Sequence, residues 1–159
     1  MQAPNIPDVA PTPTQLDAPS PMQADNSTPA EQPTGCLILV VDDHEPLRRS
    51  IVTWLQSRFP GCRVAGVETA EEALALPERP DIVLMDINLH GVDGLEAASR
   101  MKALQPQTQI VMLTMHDTPH HRRAAADAGA TGFISKRDLE TQLEPAVASL
   151  LRDRARRPS

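Results

Sequence analysis

Four short apolar runs, each followed at once by a polar or charged side chain, most constrain what this chain can fold into. The runs are residues 37–41, 82–85, 110–113 and 132–135. They lead into Asp42 and Asp43, into Asp86, into Thr114 and into Lys136, respectively. Apolar runs of this length indicate strands that are buried on both faces of a parallel sheet. Because ligands of open α/β sheets bind beyond the carboxyl ends of the strands, we expect these polar side chains to share one rim.

The side chains at this rim suit the acceptance of a phosphoryl group. Clustered carboxylates repel one another unless a cation neutralises them, and carboxylate oxygens are ligands that Mg²⁺ prefers. An ion beside the Lys136 ammonium and the Thr114 hydroxyl would neutralise the charge on phosphoryl oxygens. Asp86 is the candidate nucleophile, because carboxylates form aspartyl-phosphates in other phosphotransfer systems. Each residue alone is more simply a turn, a cap or a surface residue, and only their joint occurrence favours a site.

Strands and helices alternate along the rest of the sequence. A further strand is predicted at residues 63–67. The helices are predicted to begin near Pro46, Ala70, Asp93, Thr118 and Leu139. Five βα units of this kind fit a flavodoxin-like doubly wound (βα)5 fold, a three-layer sandwich with the parallel strand order 2-1-3-4-5.

Pro145 is out of place in the last predicted helix. Inside a helix that begins at Leu139 it removes one hydrogen bond and its ring clashes with the Thr141 carbonyl, at a cost of ~3 kcal/mol. We therefore expect this helix to start late or to kink at Pro145.

Five segments of the sequence resemble the receiver domain of two-component response regulators. They are LVVDDH at 39–44, VLMDIN at 83–88, GVDGLE at 91–96, VMLTMHD at 111–117 and GATGFISK at 129–136. The resemblance covers roughly residues 36–151 and is greatest to receivers that precede helix-turn-helix output domains. One departure is His90, which stands where receivers usually carry proline, so the loop after Asp86 is expected to be more mobile.

The resemblance implies a phosphorylation site and a metal site. Asp86 would take a phosphoryl group from a phosphohistidine of a sensor histidine kinase or a histidine phosphotransfer protein. Asp43, Asp86 and the backbone carbonyl of Asn88 would coordinate Mg²⁺, and Asp42 would hold the ion through water. The protein would then not be an enzyme acting on other substrates. It would be a phosphoacceptor that assists its own phosphorylation and dephosphorylation.

The resemblance also implies how the phosphoryl group is sensed. Lys136 would pair with the phosphoryl oxygens, and Thr114 would hydrogen-bond the phosphate and draw the following loop inward. Phe133 would be the aromatic residue that swings between outward and buried positions, although a simple core phenylalanine is an equal alternative. A downstream protein would read the changed surface, and homodimerisation is left open.

These features predict a phosphorylation-dependent switch that consists of a single receiver, because only eight residues follow Leu151. Two alternatives stay open. The chain is the receiver part of a longer transcriptional regulator whose DNA-binding domain is missing, or it is a pseudo-receiver that binds partners without phosphate. A phosphatase with an aspartyl intermediate is disfavoured, because it needs a second carboxylate where this chain has Asn88.

Composition divides the chain into three parts. Residues 1–34 hold eight of the sixteen prolines and four acidic residues without Lys or Arg, which predicts a disordered tail. Residues 35–152 form the predicted receiver domain, and 153–159 a short basic C-terminal tail. Without the N-terminal acids the net charge of −6 becomes −2, so we expect neither direct nucleic-acid binding nor membrane binding. No secretory signal or membrane span is visible, which predicts cytoplasmic residence.

The two cysteines, Cys36 and Cys62, lack metal-ligand spacing and are predicted to be reduced, buried thiols. Both should lie at the amino ends of neighbouring strands, so a redox-sensitive disulfide is the less favoured alternative.

Overall fold

Five parallel strands form one sheet, and the first strand of the sequence lies between two others rather than at an edge. The computed structural model describes residues 35–89 and 93–156 of the 159-residue chain. The predictions for the N-terminal tail, for His90 and for residues 157–159 lie outside the described residues. The strands are β1 Cys36–Val41, β2 Cys62–Val67, β3 Ile82–Asp86, β4 Gln109–Thr114 and β5 Gly132–Ser135. Their spatial order is β2-β1-β3-β4-β5, which confirms the predicted doubly wound fold.

A helix follows each strand, as a parallel sheet requires. The helices are α1 Glu45–Arg58, α2 Ala70–Leu74, α3 Gly94–Leu104, α4 Pro119–Asp127 and α5 Leu139–Arg156. A 3₁₀ turn, Lys136–Asp138, links β5 to α5. The apolar cores on the two faces of the sheet show which helices cover which face. Helices α1 and α5 pack on one face, and α2, α3 and α4 pack on the other.

The helix starts follow the local sequence. The Asp93 carboxylate accepts a hydrogen bond from the Leu95 amide at 2.8 Å, and the Thr118 hydroxyl accepts one from the His121 amide at 3.1 Å. These side chains satisfy amide groups that the first turn of a helix leaves without partners. Gly129, with φ at 96°, ends α4 in the left-handed conformation that glycine adopts most easily. The helix starts predicted near Asp93 and Thr118 are confirmed.

The two cysteines lie side by side at the amino ends of β1 and β2. Cys36 and Cys62 are Cα partners in the strand register, and both are buried free thiols, as the sequence predicts. A hydrogen bond with the Cys62 sulfur, together with burial, raises the pKa of the Cys36 thiol.

Of the two outcomes predicted for α5, the late start is wrong, and the kink at Pro145 stays a prediction. The helix begins at Leu139 and continues through Pro145 without interruption to Arg156. Its buried residues pack into the core beside α1, and this packing exceeds the cost of one missing hydrogen bond. They are Leu143, Val147, Leu150 and Leu151.

Residues 153–156, which belong to the predicted C-terminal tail, are helical and extend α5. Arg154 has a structural partner there. Its Nε atom donates to Oδ1 of Asp81 at 2.8 Å, while Oδ2 of Asp81 accepts from the Leu37 amide at 2.8 Å. The Arg154–Asp81 pair therefore fastens the end of α5 to the start of β1.

Replacing Pro145 should stabilise the protein. Pro145 is exposed, so Pro145→Ala removes no buried contact and restores an amide donor to the helix. We expect the free energy of unfolding to rise by roughly 1–3 kcal/mol in urea denaturation. Gln142→Ala, at an exposed position of the same helix, is the control and should change it by less than about 0.5 kcal/mol. Equal effects of the two substitutions would contradict this account of the helix.

Candidate functional site

The strand register brings the predicted side chains to one rim of the sheet. Val41 of β1 pairs with Met85 of β3, so Asp42 and Asp86, each one residue further on, lie level on adjacent strands. The position of these acids thus follows from the sheet order, which puts β3 next to β1 although β2 intervenes in the sequence.

The same register brings Thr114, at the end of β4, and Lys136, after the end of β5, to this rim. Asp86 pairs with Leu113, which precedes Thr114, and Thr114 pairs with Ser135, which precedes Lys136.

Three carboxylates converge at this rim. Asp42, Asp43 and Asp86 each offer an oxygen, and these oxygens lie within 4.8 Å of one another. Asp42 is fully buried and Asp86 is 4% exposed. Such burial of like charges is unfavourable unless cations neutralise them.

The Lys136 ammonium supplies part of that neutralisation. Its Nζ atom lies 2.9 Å from Oδ2 of Asp42 and 3.2 Å from Oδ2 of Asp86. The Lys136 side chain is itself only 10% exposed. Burial lowers the pKa of this ammonium, but the two carboxylates outweigh burial, so its pKa lies above the usual value and the group stays charged.

The second oxygens of Asp42 and Asp86 accept hydrogen bonds from backbone amides. Oδ1 of Asp42 accepts from the His44 amide at 2.9 Å, and Oδ1 of Asp86 accepts from the Asn88 amide at 3.1 Å. The Asp42 carbonyl accepts from Nη1 of Arg48, at 2.8 Å, so the first turn of α1 also braces the site. These bonds fix the direction in which both carboxylates point.

Asp42 and Asp86 share a single ammonium, that of Lys136. Within the described part of the chain, no donor meets Oδ2 of Asp42 at a hydrogen-bonding angle, so its 2.9 Å contact with Lys136 is an ion pair rather than an aligned hydrogen bond. Burial raises the pKa of Asp86, and the neighbouring Asp42 adds to this, while Lys136 opposes it. The three carboxylates form a donor set that fits a divalent cation with oxygen ligands.

Thr114 is fully buried at the end of β4, and its hydroxyl forms hydrogen bonds with the backbone of the loop that follows. The hydroxyl oxygen accepts from the His116 amide at 2.9 Å and donates to the His116 carbonyl at 3.3 Å.

Phe133 of β5 packs against the core that α2, α3 and α4 cover. The guanidinium carbon of Arg122 lies 4.9 Å from the centre of its ring. The sequence analysis singled out Phe133 but missed Arg122, because the contact joins α4 to β5 and leaves no local pattern.

Gly94 is a second residue that the sequence analysis did not single out as functional. A Cβ atom there would collide with the carbonyl oxygen of Asp86 and would lie 2.8 Å from that of Ile87. The Gly94 amide donates to the Ile87 carbonyl at 3.0 Å. The start of α3 thus lies directly against the backbone that carries Asp86, and only glycine fits there.

The family model of the response regulator receiver domain matches residues 38–148. The chain therefore belongs to the response regulator receiver domains, which confirms the resemblance found in the sequence. Receiver domains are generally phosphoacceptors in two-component signalling and bind Mg²⁺ at their acidic pocket. They interact with histidine kinases or phosphotransfer proteins.

Two curated relatives illustrate the similarity. The transcriptional activator protein ExaE of Pseudomonas putida is 35% identical over 116 residues, which are 72% of this chain and 54% of that protein. The response regulator GacA of Pseudomonas aeruginosa is 34% identical over 102 residues, 62% of this chain and 47% of that protein. The chain thus spans about half the length of the curated relatives that it matches.

Solved structures agree with this fold. A two-component response regulator of the LuxR family from Aurantimonas sp. SI85-9A1 has a TM-score of 0.69 at 32% identity, covering 76% of this chain and 87% of that one. The response regulator TrrA of Thermotoga maritima, in complex with Mg²⁺ and beryllium fluoride, has a TM-score of 0.65 at 30% identity. That match covers 73% of this chain and 99% of TrrA.

None of the described helices combines the length and the apolar composition needed to cross a lipid bilayer.

Removing the Asp86 charge should stabilise the metal-free protein. The raised pKa of Asp86 means that the folded protein disfavours its ionised form, so this residue's contribution to stability is lost as the pH rises above its ordinary value of 3.8. In chelator at pH 7, Asp86→Asn should raise the free energy of unfolding by on the order of 1 kcal/mol. The gain should shrink as the pH falls towards 4. The exposed control Asp153→Asn should show little change, and a loss of stability in Asp86→Asn would contradict the argument.

A methyl group at Gly94 should disturb the strand end. Because the clash is with backbone, Gly94→Ala should lower the free energy of unfolding by roughly 1–3 kcal/mol in urea. Gly132→Ala is the matched control, since its Cβ would meet only the Val111 side chain, at 3.4 Å. Equal stabilities of the two variants would show that the close approach is not a constraint.

Proposed function

We propose that this chain is a phosphorylation-dependent signalling switch that accepts a phosphoryl group on Asp86 in the presence of Mg²⁺. The observation that carries the proposal is the convergence of three carboxylates with Lys136, whose Nζ lies 2.9 and 3.2 Å from Asp42 and Asp86. The phosphoryl donor is a phosphohistidine of a sensor histidine kinase or of a histidine phosphotransfer protein.

In the transfer step, a carboxylate oxygen of Asp86 bonds to phosphorus while the bond between phosphorus and the histidine nitrogen breaks. The imidazole leaves with that electron pair and takes up a proton. Lys136 holds its ammonium beside the Asp86 carboxylate, where it pairs with the oxygens of the incoming group. The Asn88 amide keeps the Asp86 carboxylate in position through Oδ1.

The residues present fit Mg²⁺. Asp43, Asp86 and the backbone carbonyl of Asn88 would hold it, and Asp42 would contact it through water. Together with Lys136, the ion would neutralise negative charge on the acceptor carboxylates and on the phosphoryl oxygens. Support comes from the 4.8 Å cluster of carboxylate oxygens and from Oδ2 of Asp42, which lacks an aligned donor among the described residues.

Thr114 and Phe133 would carry the signal to the surface. The Thr114 hydroxyl turns from its loop to the phosphoryl group, and Phe133 changes position as the loop moves. A downstream protein reads the altered surface around α4 and β5. The receiver domain does not contact nucleic acid or membrane itself. The protein acts in the cytoplasm. Homodimerisation is a further outcome of the switch.

A longer transcriptional regulator is the second candidate. The similarity to ExaE, a transcriptional activator, and the half-length match favour it. In that case the same switch would control a DNA-binding domain beyond the matched region.

Phosphotransfer with a small-molecule donor tests the proposed acceptor. With acetyl phosphate and Mg²⁺, mass spectrometry should find one added phosphate on the wild type and none on Asp86→Asn. Asp153→Asn, an exposed acid outside the site, should behave as the wild type. Lys136→Ala should react more slowly, on the order of 10²-fold, because it removes a charge that stabilises the transition state. Chelation of Mg²⁺ should also suppress the reaction.

Equal phosphate uptake by Asp86→Asn would show that Asp86 is not the acceptor. A wild type that takes no phosphate from acetyl phosphate or from any histidine kinase of the source cell, yet still binds a partner, would instead support a phosphate-independent pseudo-receiver.

A further inference from the structure

We propose that Arg122 is a positioning residue that fastens the loop after Thr114 to Phe133 and thereby opposes the switch. This inference rests on the proposed function of Asp86, Thr114 and Phe133. It assigns to α4 a part in setting the affinity of the site for its ligand.

One guanidinium group contacts two separate parts of the switch. Nε of Arg122 donates to Oδ1 of Asp117 at 2.6 Å, and Nη2 donates to Oδ2 at 2.8 Å, so the ion pair is two-pronged. The same guanidinium lies over the Phe133 ring, 4.9 Å from its centre. A planar, delocalised cation can make both contacts at once, which a lysine ammonium cannot.

The loop that Arg122 contacts through Asp117 is also the loop whose backbone forms hydrogen bonds with the Thr114 hydroxyl. His116, the residue before Asp117, exchanges two hydrogen bonds with the Thr114 hydroxyl, at 2.9 and 3.3 Å. A continuous set of contacts therefore runs from Thr114 through the loop and Arg122 to Phe133.

These contacts compete with phosphate sensing. A threonine hydroxyl has one hydrogen to donate, and here the His116 carbonyl accepts it. Donation to a phosphoryl oxygen on Asp86 requires that this bond break and that the loop follow Thr114. Asp117 then leaves its place against Arg122, and Phe133 moves from beneath the guanidinium.

Contacts made in only one of two arrangements shift the equilibrium towards that arrangement. Arg122 therefore weakens the binding of any ligand that needs the other one. The pair is exposed, with 56% of the Arg122 side chain and 35% of the Asp117 side chain accessible, so the effect is moderate. We expect roughly a three- to tenfold effect on ligand affinity.

Beryllofluoride binding measures this effect without depending on phosphorylation rates. With Mg²⁺ present, isothermal titration calorimetry of the full chain should give a Kd for Arg122→Ala that is roughly three- to tenfold lower than that of the wild type. Arg123→Ala removes an equal charge from the next, exposed position of the same helix and should leave the Kd unchanged. Arg122→Lys, which keeps the charge without the two-pronged geometry, should lie between the wild type and Arg122→Ala.

A second substitution tests whether Arg122 acts through its ion pair with Asp117. Asp117→Asn should also tighten binding, and combining it with Arg122→Ala should add less than the sum of the two, because both remove the same ion pair. Thermal unfolding of each variant checks that the fold is retained.

The outcomes separate this inference from the proposed function. If the wild type binds beryllofluoride and Arg122→Ala matches Arg123→Ala, the role of Arg122 is wrong while the switch stands. Weaker binding by Arg122→Ala would also overturn it, since the contacts would then belong to the ligand-bound arrangement. If the wild type neither binds beryllofluoride nor takes phosphate, the proposed function fails and this inference fails with it.

Discussion

The burial of like charges at the end of β1 and β3 is the constraint on which the rest of the structure depends. Asp42 and Asp86 lie level on adjacent strands, and Lys136 is placed against both, at 2.9 and 3.2 Å. A single ammonium faces the two buried carboxylates of Asp42 and Asp86, so these two like charges share one cation where water is largely excluded. Burial accordingly raises the pKa of Asp86, with Asp42 adding to it. In the proposed function, a divalent cation and a phosphoryl group would relieve this repulsion by sharing the site.

The fold sustains this arrangement because the three central strands, β1, β3 and β4, are buried along their whole length. The strand register fixes the height of each strand end, and backbone amides fix the direction of each carboxylate. Gly94 brings the start of α3 against the backbone of Asp86 with no room for a side chain. Arg154 and Asp81 fasten the opposite end of β1 to α5. The acceptor is therefore held by described elements that are far apart in the sequence.

The proposed output, by contrast, depends on weak and exposed contacts. Thr114 is buried, but the loop that follows it is held by Asp117 and Arg122, whose side chains are 35% and 56% accessible. Exposed ion pairs contribute little to stability, so such contacts can exchange without unfolding the domain. This difference between a fixed acceptor and an adjustable surface is what a switch requires, because the ligand must shift an equilibrium between two arrangements of similar energy.

The sequence by itself determined the strands, the helix starts at Asp93 and Thr118 and the acids at the strand ends, because these follow from local periodicity and from turn chemistry. The strand order followed from the alternation of strands and helices, which fits a doubly wound sheet. It did not determine that α5 continues through Pro145, because burial of a helix face outweighs a local defect only after the helix has packed. Nor did it determine the contacts of Gly94 with Asp86 or of Arg122 with Phe133. Each of these joins elements that are distant in sequence, and only the packed tertiary structure decides which such surfaces meet.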